Sequence, residues 1–342
     1  MKVQIIAIAG LIAVHNAHAH DNAPMSSLGA SSHAPIGVMA DHQHAAGEWM
    51  LSYRYMDMTM KGMREGGDSV TSAEITGTMM SPGDYMVAPV SMDMSMHMLG
   101  AMYAPNDQLT LMLMLPVVEK EMKHLTRMGQ GFSTSSSGLG DISMTGLYSL
   151  YRSADGRHRV HANIGLSLPT GDIDARDDTP AMANAKLPYA MQLGSGSVDL
   201  LPGVSYQGFG DSVSWGGQVS LVVRSDYNDN DYRLGNRLKF SGWVARSYSR
   251  ALSVSIRLAH EVWEDIDGAD PELNPMMVPT ADPANQGGER SDLSLGLNYL
   301  FTKGQLKGHR LAAEFGQSVY QHLHGPQMEV DQTITAGWQF AF

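Results

Sequence analysis

Methionine is the residue type with the most chemistry to account for, at 26 of 342 residues in a chain that holds no cysteine. Nine of these methionines share one spacing. Met56, Met58 and Met60, then Met92, Met94, Met96 and Met98, then Met112 and Met114 each recur at every second position. Side chains on a β-strand alternate between its two faces, so such a set projects from one face. Adjacent strands lie ~4.8 Å apart and same-face residues ~7 Å apart, so sets on neighbouring strands can converge. Thioethers are soft and uncharged, weak as hydrogen-bond acceptors and suited to Cu(I). The same side chain is flexible and polarizable, good for packing or for gripping an apolar solute. Both readings stand at this point.

Imidazoles come second. His20, His33, His42 and His44 lie in a stretch of Ala, Ser, Pro and Gly with little periodicity, residues 20–47. His42-Gln43-His44 can chelate from a flexible chain, and His20, as a mature amino terminus, would place a free amine beside its imidazole and suit Cu(II). Carboxylates come third. Asp172, Asp174, Asp177 and Asp178, then Asp226, Asp229 and Asp231, then Asp265, Asp267, Asp270 and Glu272 fall in expected loops, where they would either raise the local cation concentration or simply be solvated. Catalysis finds little support. There is no G-x-S-x-G, H-E-x-x-H or Walker loop, and His260 is a single imidazole on an outer parity. We therefore expect no enzyme and no cofactor other than copper.

The elements that position these groups are strands. In the run after Asn106-Asp107, Leu109, Leu111, Leu113, Leu115 and Val117 fall on one parity, while Thr110, Met112, Met114, Lys120, Met122 and His124 fall on the other. One face is continuous aliphatic, and the apolar residues do not recur at three and four as a helix requires. Met92 to Met98 alternate with Leu99, Ala101 and Tyr103 in the preceding strand, and Met56 to Met60 follow Trp49, Leu51, Tyr53 and Tyr55 in the one before. The pattern continues to the end of the chain, giving about twelve strands, with the Gly/Ser stretch 128–138 taken as a loop. No apolar run reaches the ~18 residues of a membrane helix, yet strand after strand has one wholly apolar face. Connections alternate between short and long. This is the signature of an all-β, transmembrane, antiparallel up-and-down β-barrel over residues 48–342, with both termini in the periplasm and the methionines facing the lumen. A soluble sandwich also alternates, but its loops need not alternate in length.

The amino end reads as a secretory signal over residues 1–19. Lys2 is followed by an apolar core from Val3 to Val14 and by Ala17-His18-Ala19 as the cleavage site. Residues 20–47 are expected to be a flexible, His-containing periplasmic segment or a small plug. The net charge of −12 argues against nucleic acid as a partner.

Three runs carry a family resemblance: Gly138-Leu139-Gly140-Asp141-Ile142, Leu166-Ser167-Leu168-Pro169-Thr170-Gly171-Asp172 and Gln192-Leu193-Gly194-Ser195-Gly196-Ser197. They resemble bacterial outer-membrane proteins of the meta-pathway phenol-degradation type, over roughly Gly138 to Phe342. The closing aromatic, Phe342, is similar to the signal read by the barrel-assembly machinery. The Met-rich strands and the segment from Ala34 to His42 resemble a Met/His-rich subgroup associated with copper handling. The resemblance implies a transporter in the outer membrane of a Gram-negative bacterium, in contact with its lipid. With the methionines it leads us to expect a channel that binds or passes a small solute, with copper favoured through a Met-lined lumen. The expected metal ligands are the nine methionines with His20, His42 and His44. The alternative is a channel for small hydrophobic or aromatic compounds, and an outer-membrane enzyme ranks last.

Overall fold

The computed structural model describes residues 29–78 and 80–342. The signal assigned to residues 1–19, and His20, lie outside the described residues. The chain forms a closed antiparallel barrel. Its wall consists of β1 (Trp49–Gly66), β2 (Val87–Asn106), β3 (Leu109–Thr126), β4 (Ile142–Arg152), β5 (His158–Leu168), β6 (Gly203–Phe209), β7 (Val213–Arg224), β8 (Arg237–Ser247), β9 (Leu252–Trp263), β10 (Gly288–Leu300) and β11 (His309–Ala341). Each pairs with the next in sequence, and β11 closes onto β1.

The 33 residues of β11 are too many for one crossing of a membrane. The segment doubles back at Gly325, whose φ of 61° is easy only for glycine. Its first half pairs with β10 and its second with β1. The two halves meet each other, with the Gln321 side chain bonded to both backbone groups of Val330 (2.9 and 3.1 Å) and the His309 ring stacked on Phe340 at 4.1 Å. The eleven extended segments therefore make twelve wall crossings among the described residues, as the alternation predicts. Closure pairs each of the eleven wall strands on both sides, which is what lets strands sit in hydrocarbon.

The faces are inverted relative to a soluble protein. Aliphatic groups point outward, with Ile164 71% and Leu295 59% exposed, while Thr110, His161, Ser205 and Ser294 are buried inside. A sandwich core would show the opposite. Both ends of the barrel wall lie at the short-turn end, where Trp49 and Phe342 exchange backbone hydrogen bonds (2.9 and 2.8 Å). On β2 and β3 the outer parity changes character along the strand. Leu99 gives way to His97, Ser95 and Asp93, and Val117 to Glu119 and Glu121. The wall thus continues past the lipid band into water.

That extension explains one departure from the sequence reading. The Gly/Ser stretch expected as loop contains the strand Gly131–Leu139, which pairs with β3 from Val117 to Leu125. Its outward residues Ser133, Ser135 and Ser137 are exposed beside the outward Glu119 and Glu121, while Thr134 is buried. With its outer face in water, this strand needs no aliphatic side chains and so lacks the signal of a lipid-facing strand.

The long connections fold over the far end. Met63, Ile75, Tyr85, Met92, Met122, Leu187, Met191 and Met328 form one apolar cluster that joins the wall to these loops. Within it a short helix, Ser72–Thr76, starts from Thr71 in a capping box with Glu74.

Candidate functional sites in the lumen

The methionine sets fall opposite one another on paired strands, and their register is specific. β1 and β2 place Met56 opposite Met96, Met58 opposite Met94 and Met60 opposite Met92, and β2 and β3 place Met92 opposite Met122 and Met102 opposite Met112. The environments differ along this ladder. Met60, Met92 and Met94 pack on the loop cluster. Met112 packs with Met50, Met102, Leu147 and the inner-segment Ala40. Met114 is buried over Gly100, where a Cβ would lie 2.8 Å from its sulfur. Met56, Met58, Met96 and Met98 are half-buried.

Beneath the folded loops lies a chamber of about 480 Å³. Met58, Met60, Met92, Met94 and Met328 form one wall, and Lys120, Arg237, Lys239 and Arg290 are the cations among its lining residues, against the carboxylates of Glu261 and Glu264. Arg237 and Arg290 approach Glu261 at 3.4 and 3.8 Å. Lys120 donates to the carbonyls of Ala190 (2.9 Å) and Gln192 (2.6 Å), so it also anchors a loop. Apart from Lys120, these cations belong to strands far from the methionines in sequence, and reading each strand alone does not bring them together.

Residues 29–44 run inside the barrel, against side chains from many strands. The His44 N–H donates to Thr110 Oγ1 (3.0 Å), the Met39 carbonyl accepts from Gln218 (2.8 Å), and His161 Nε2 meets the Ala40 carbonyl at 3.0 Å. Ala34 and Val38 pack on Trp243. Gly37 presses on the buried Arg257–Glu314 ion pair (2.5 Å), and a Cβ there would come within 2.3 Å of a Glu314 oxygen. Arg310 donates to the carbonyls of Gly29 and Ala30 and to Ser32.

This segment gathers His33, Asp41, His42 and His44. Ligand atoms of His33, Asp41 and His42 lie within 4.8 Å of one another. The His42 ring is 3.9 Å from that of His33 and 4.9 Å from that of His44, centroid to centroid. His42 Nδ1 sits 2.8 Å from Asp41 and His44 Nδ1 3.5 Å from Glu48. Burial, reinforced by Arg310 and the two neighbouring imidazoles, holds His33 well below its usual pKa. Burial opposes ionisation of Asp41, but His42, the Ala34 N–H and Arg54 outweigh it and hold the carboxyl at about 2. His42 and His44 are thus brought together. His33 and Asp41, which were not among the expected ligands, join them.

The loop acids behave differently from a free cation-collecting rim. Lys186 pairs with Asp174, Asp270 and Glu272, Arg176 with Glu272, Arg233 with Asp267, and His324 with Asp265. On the outer wall, His260 Nδ1 meets Ser291 Oγ at 2.9 Å, and its Nε2 is 3.8 Å from Glu289.

A closed barrel with an aliphatic outer band and a polar, filled lumen defines an outer-membrane β-barrel. Over residues 81–325, more than half of the chain, the sequence matches the family described as "Putative MetA-pathway of phenol degradation", and the protein belongs to that family. A search of curated proteins finds no significant match. Among solved structures, an outer membrane channel from Pseudomonas putida F1 is similar with a TM-score of 0.59 at 16% identity, covering 89% of this chain and 99% of that one. More distant are a KdgM porin (TM-score 0.38, 9% identity, 86% and 99% covered) and a Pseudomonas aeruginosa FadL homologue (TM-score 0.38, 10% identity, 86% and 89% covered). The Pseudomonas putida likeness is one of fold.

Proposed function

We propose that this barrel is a channel for small amphiphilic anions, with aromatic carboxylates as the favoured class. The observation that carries the reading is the two-sided chamber, with thioethers on one wall and Lys120, Arg237, Lys239 and Arg290 among the other lining groups. An aromatic ring against methionine gains roughly 0.3–1.5 kcal/mol per sulfur contact. A carboxylate meeting arginine makes charge-assisted, bidentate hydrogen bonds. The chamber volume suits a molecule of that size. The family description, with its phenol degradation, supports an aromatic solute. With a chamber folded under loops at one end and residues 29–44 within the lumen, passage requires at least one of these to move. The test is anion selectivity and benzoate uptake in planar bilayers and liposomes. Wild type is expected to select anions. R237Q/K239Q is expected to lower benzoate uptake about tenfold or more, since a charged hydrogen bond contributes ~1.5–3 kcal/mol, and to leave uptake of neutral phenol within a few-fold. Cation selectivity in wild type, or equal loss for benzoate and phenol, overturns the reading.

The directly opposed pairs Met56–Met96, Met58–Met94 and Met60–Met92 favour a second reading, passage of Cu(I) along the ladder. The chamber cations weigh against it, because they repel a metal ion. M58L/M94L/M96L nearly conserves volume, at about 1.5 kcal/mol or less per site. If the ladder carries copper, this variant assembles and loses competition for Ag(I) against a chromogenic chelator. If wild type does not compete, the methionines pack and contact solute only.

A further inference from the structure

The inner segment holds a feature that neither the chamber nor the ladder uses. His33 Nδ1, His42 Nε2 and His44 Nε2 are all buried, and none has a hydrogen-bond partner. A buried polar atom left unpaired costs about 1–3 kcal/mol, and such atoms are uncommon in folded proteins. Here three of one chemical kind come from a stretch of twelve residues, with the His42 ring tilted at 45° to that of His33 and edge-on to that of His44.

The other nitrogens complete the pattern. His42 turns its Nδ1 to Asp41 at 2.8 Å, and His44 turns its Nδ1 to Glu48 at 3.5 Å, which leaves each Nε2 as the free lone pair. A carboxylate behind an imidazole fixes its orientation and raises its basicity as a metal ligand. Asp41 is itself held in place, accepting from the Ala34 N–H at 2.9 Å. The backbone on both sides is fixed by the barrel wall, through Thr110, His161 and Gln218.

We propose that residues 33–44 form a transition-metal site inside the lumen, centred on His33, Asp41 and His42, whose ligand atoms lie within 4.8 Å of one another, with His44 drawn in from beside His42 when the ion binds. Imidazole donors with a carboxylate behind them suit a borderline divalent ion of the Zn²⁺ or Cu²⁺ class, unlike the soft Cu(I) that thioethers prefer. All four residues belong to the inner segment itself, so the ion fixes the fold of that segment and leaves the wall ladder untouched. His44 adjoins the exposed residues 45–47, which places the site just within the mouth at the short-turn end. Arg310 and Arg54 lie close by and repel a dication, so the site is weaker than three imidazoles alone would make it. Arg310 is engaged with the Gly29 and Ala30 carbonyls and Ser32, and Arg54 with Met39. This inference stands apart from the channel reading, since it uses none of the chamber residues.

The test is a Co²⁺ titration of the full chain folded in detergent, followed by visible absorption, with Zn²⁺ as competitor. Wild type is expected to bind one equivalent with the intense bands of a low-coordinate nitrogen site, displaced by Zn²⁺. H42A/H44A should abolish those bands and H33A should weaken binding at least tenfold. D41N, which keeps all three imidazoles, should weaken it by 10–100-fold, the usual cost of losing such a support. H20A should change nothing. A heat shift on detergent gels, checked for every variant, separates a lost ligand from a lost fold. Absence of Co²⁺ bands in folded wild type, retention of binding in folded H42A/H44A, or its loss in H20A overturns the proposal. In the first case the three nitrogens hold water only.

Discussion

Leu113→Arg is expected to prevent the barrel from assembling. Leu113 sits midway along the aliphatic run of β3, on the outer face, with Ala101 and Met144 as its cross-strand neighbours. It is 36% exposed, and what it is exposed to is hydrocarbon. A guanidinium at mid-membrane on a barrel's lipid face costs about 2–4 kcal/mol. At about 1.4 kcal/mol per decade, that is one to three orders of magnitude in the folding equilibrium. The control is Met58→Arg, on the lumenal face of β1 and lining the chamber. There the added side chain enters a roomy chamber with the carboxylates of Glu261 and Glu264 among its lining groups instead of hydrocarbon, and the wall should still close. The measurement is the fraction of each protein that shows the heat-modifiable shift after refolding into lipid vesicles. Equal assembly of the two variants, or failure of Met58→Arg alone, would reverse the assignment of faces.

That experiment probes what the sequence makes plainest. Parity on β3 separates Leu111 and Leu113 from Met112 and Met114 without any structure, because lipid outside and a filled lumen inside impose opposite chemistry on alternate residues. The rhythm of short and long connections carries the topology in the same way. The strand Gly131–Leu139 escaped because its outer face meets water, so serine serves where leucine would otherwise be needed. The chamber was only half legible. Its methionines announce themselves by spacing, but Arg237, Lys239 and Arg290 face them only once the barrel closes, and closure is a relation between strands far apart in the chain. The imidazole cluster was hidden differently. His42 and His44 are adjacent enough to be noticed, whereas His33 joins them only because the segment turns back on itself inside the wall. Read as charge runs, the loop acids stand between a rim that gathers cations and simple solvation. In the folded protein Lys186, Arg176, Arg233 and His324 already hold several of them.

Lys186 is where that network can be broken most informatively. Its side chain is 2% exposed, as is that of Asp270, and the two meet at 2.6 Å. Lys186 comes from the connection between β5 and β6, where Ala185–Lys186 pairs with Arg176–Asp177, and Asp270 comes from the connection between β9 and β10. The ion pair therefore ties two separate loops together over the chamber, with Asp174 at 2.8 Å and Glu272 at 3.7 Å as more exposed partners. Removing one member of a buried pair leaves an uncompensated charge, at a cost of about 3–5 kcal/mol. K186M should place that cost on the loops alone, because the wall ladder does not depend on them, and should raise the population of a locally opened state by two decades or more. We expect K186M to keep its heat shift, to be cut by proteinase K within residues 169–202, and to conduct more in single-channel records than wild type. Replacing both partners with apolar groups is often neutral, so K186M/D270L should recover protease resistance and the closed state. A K186M barrel as protected and as quiet as wild type would show that apolar packing around Met191 and Leu187 holds the loops shut. A double variant as open as the single one would show that Lys186 acts through its exposed partners, Asp174 and Glu272, and that the buried pair with Asp270 is not the tie.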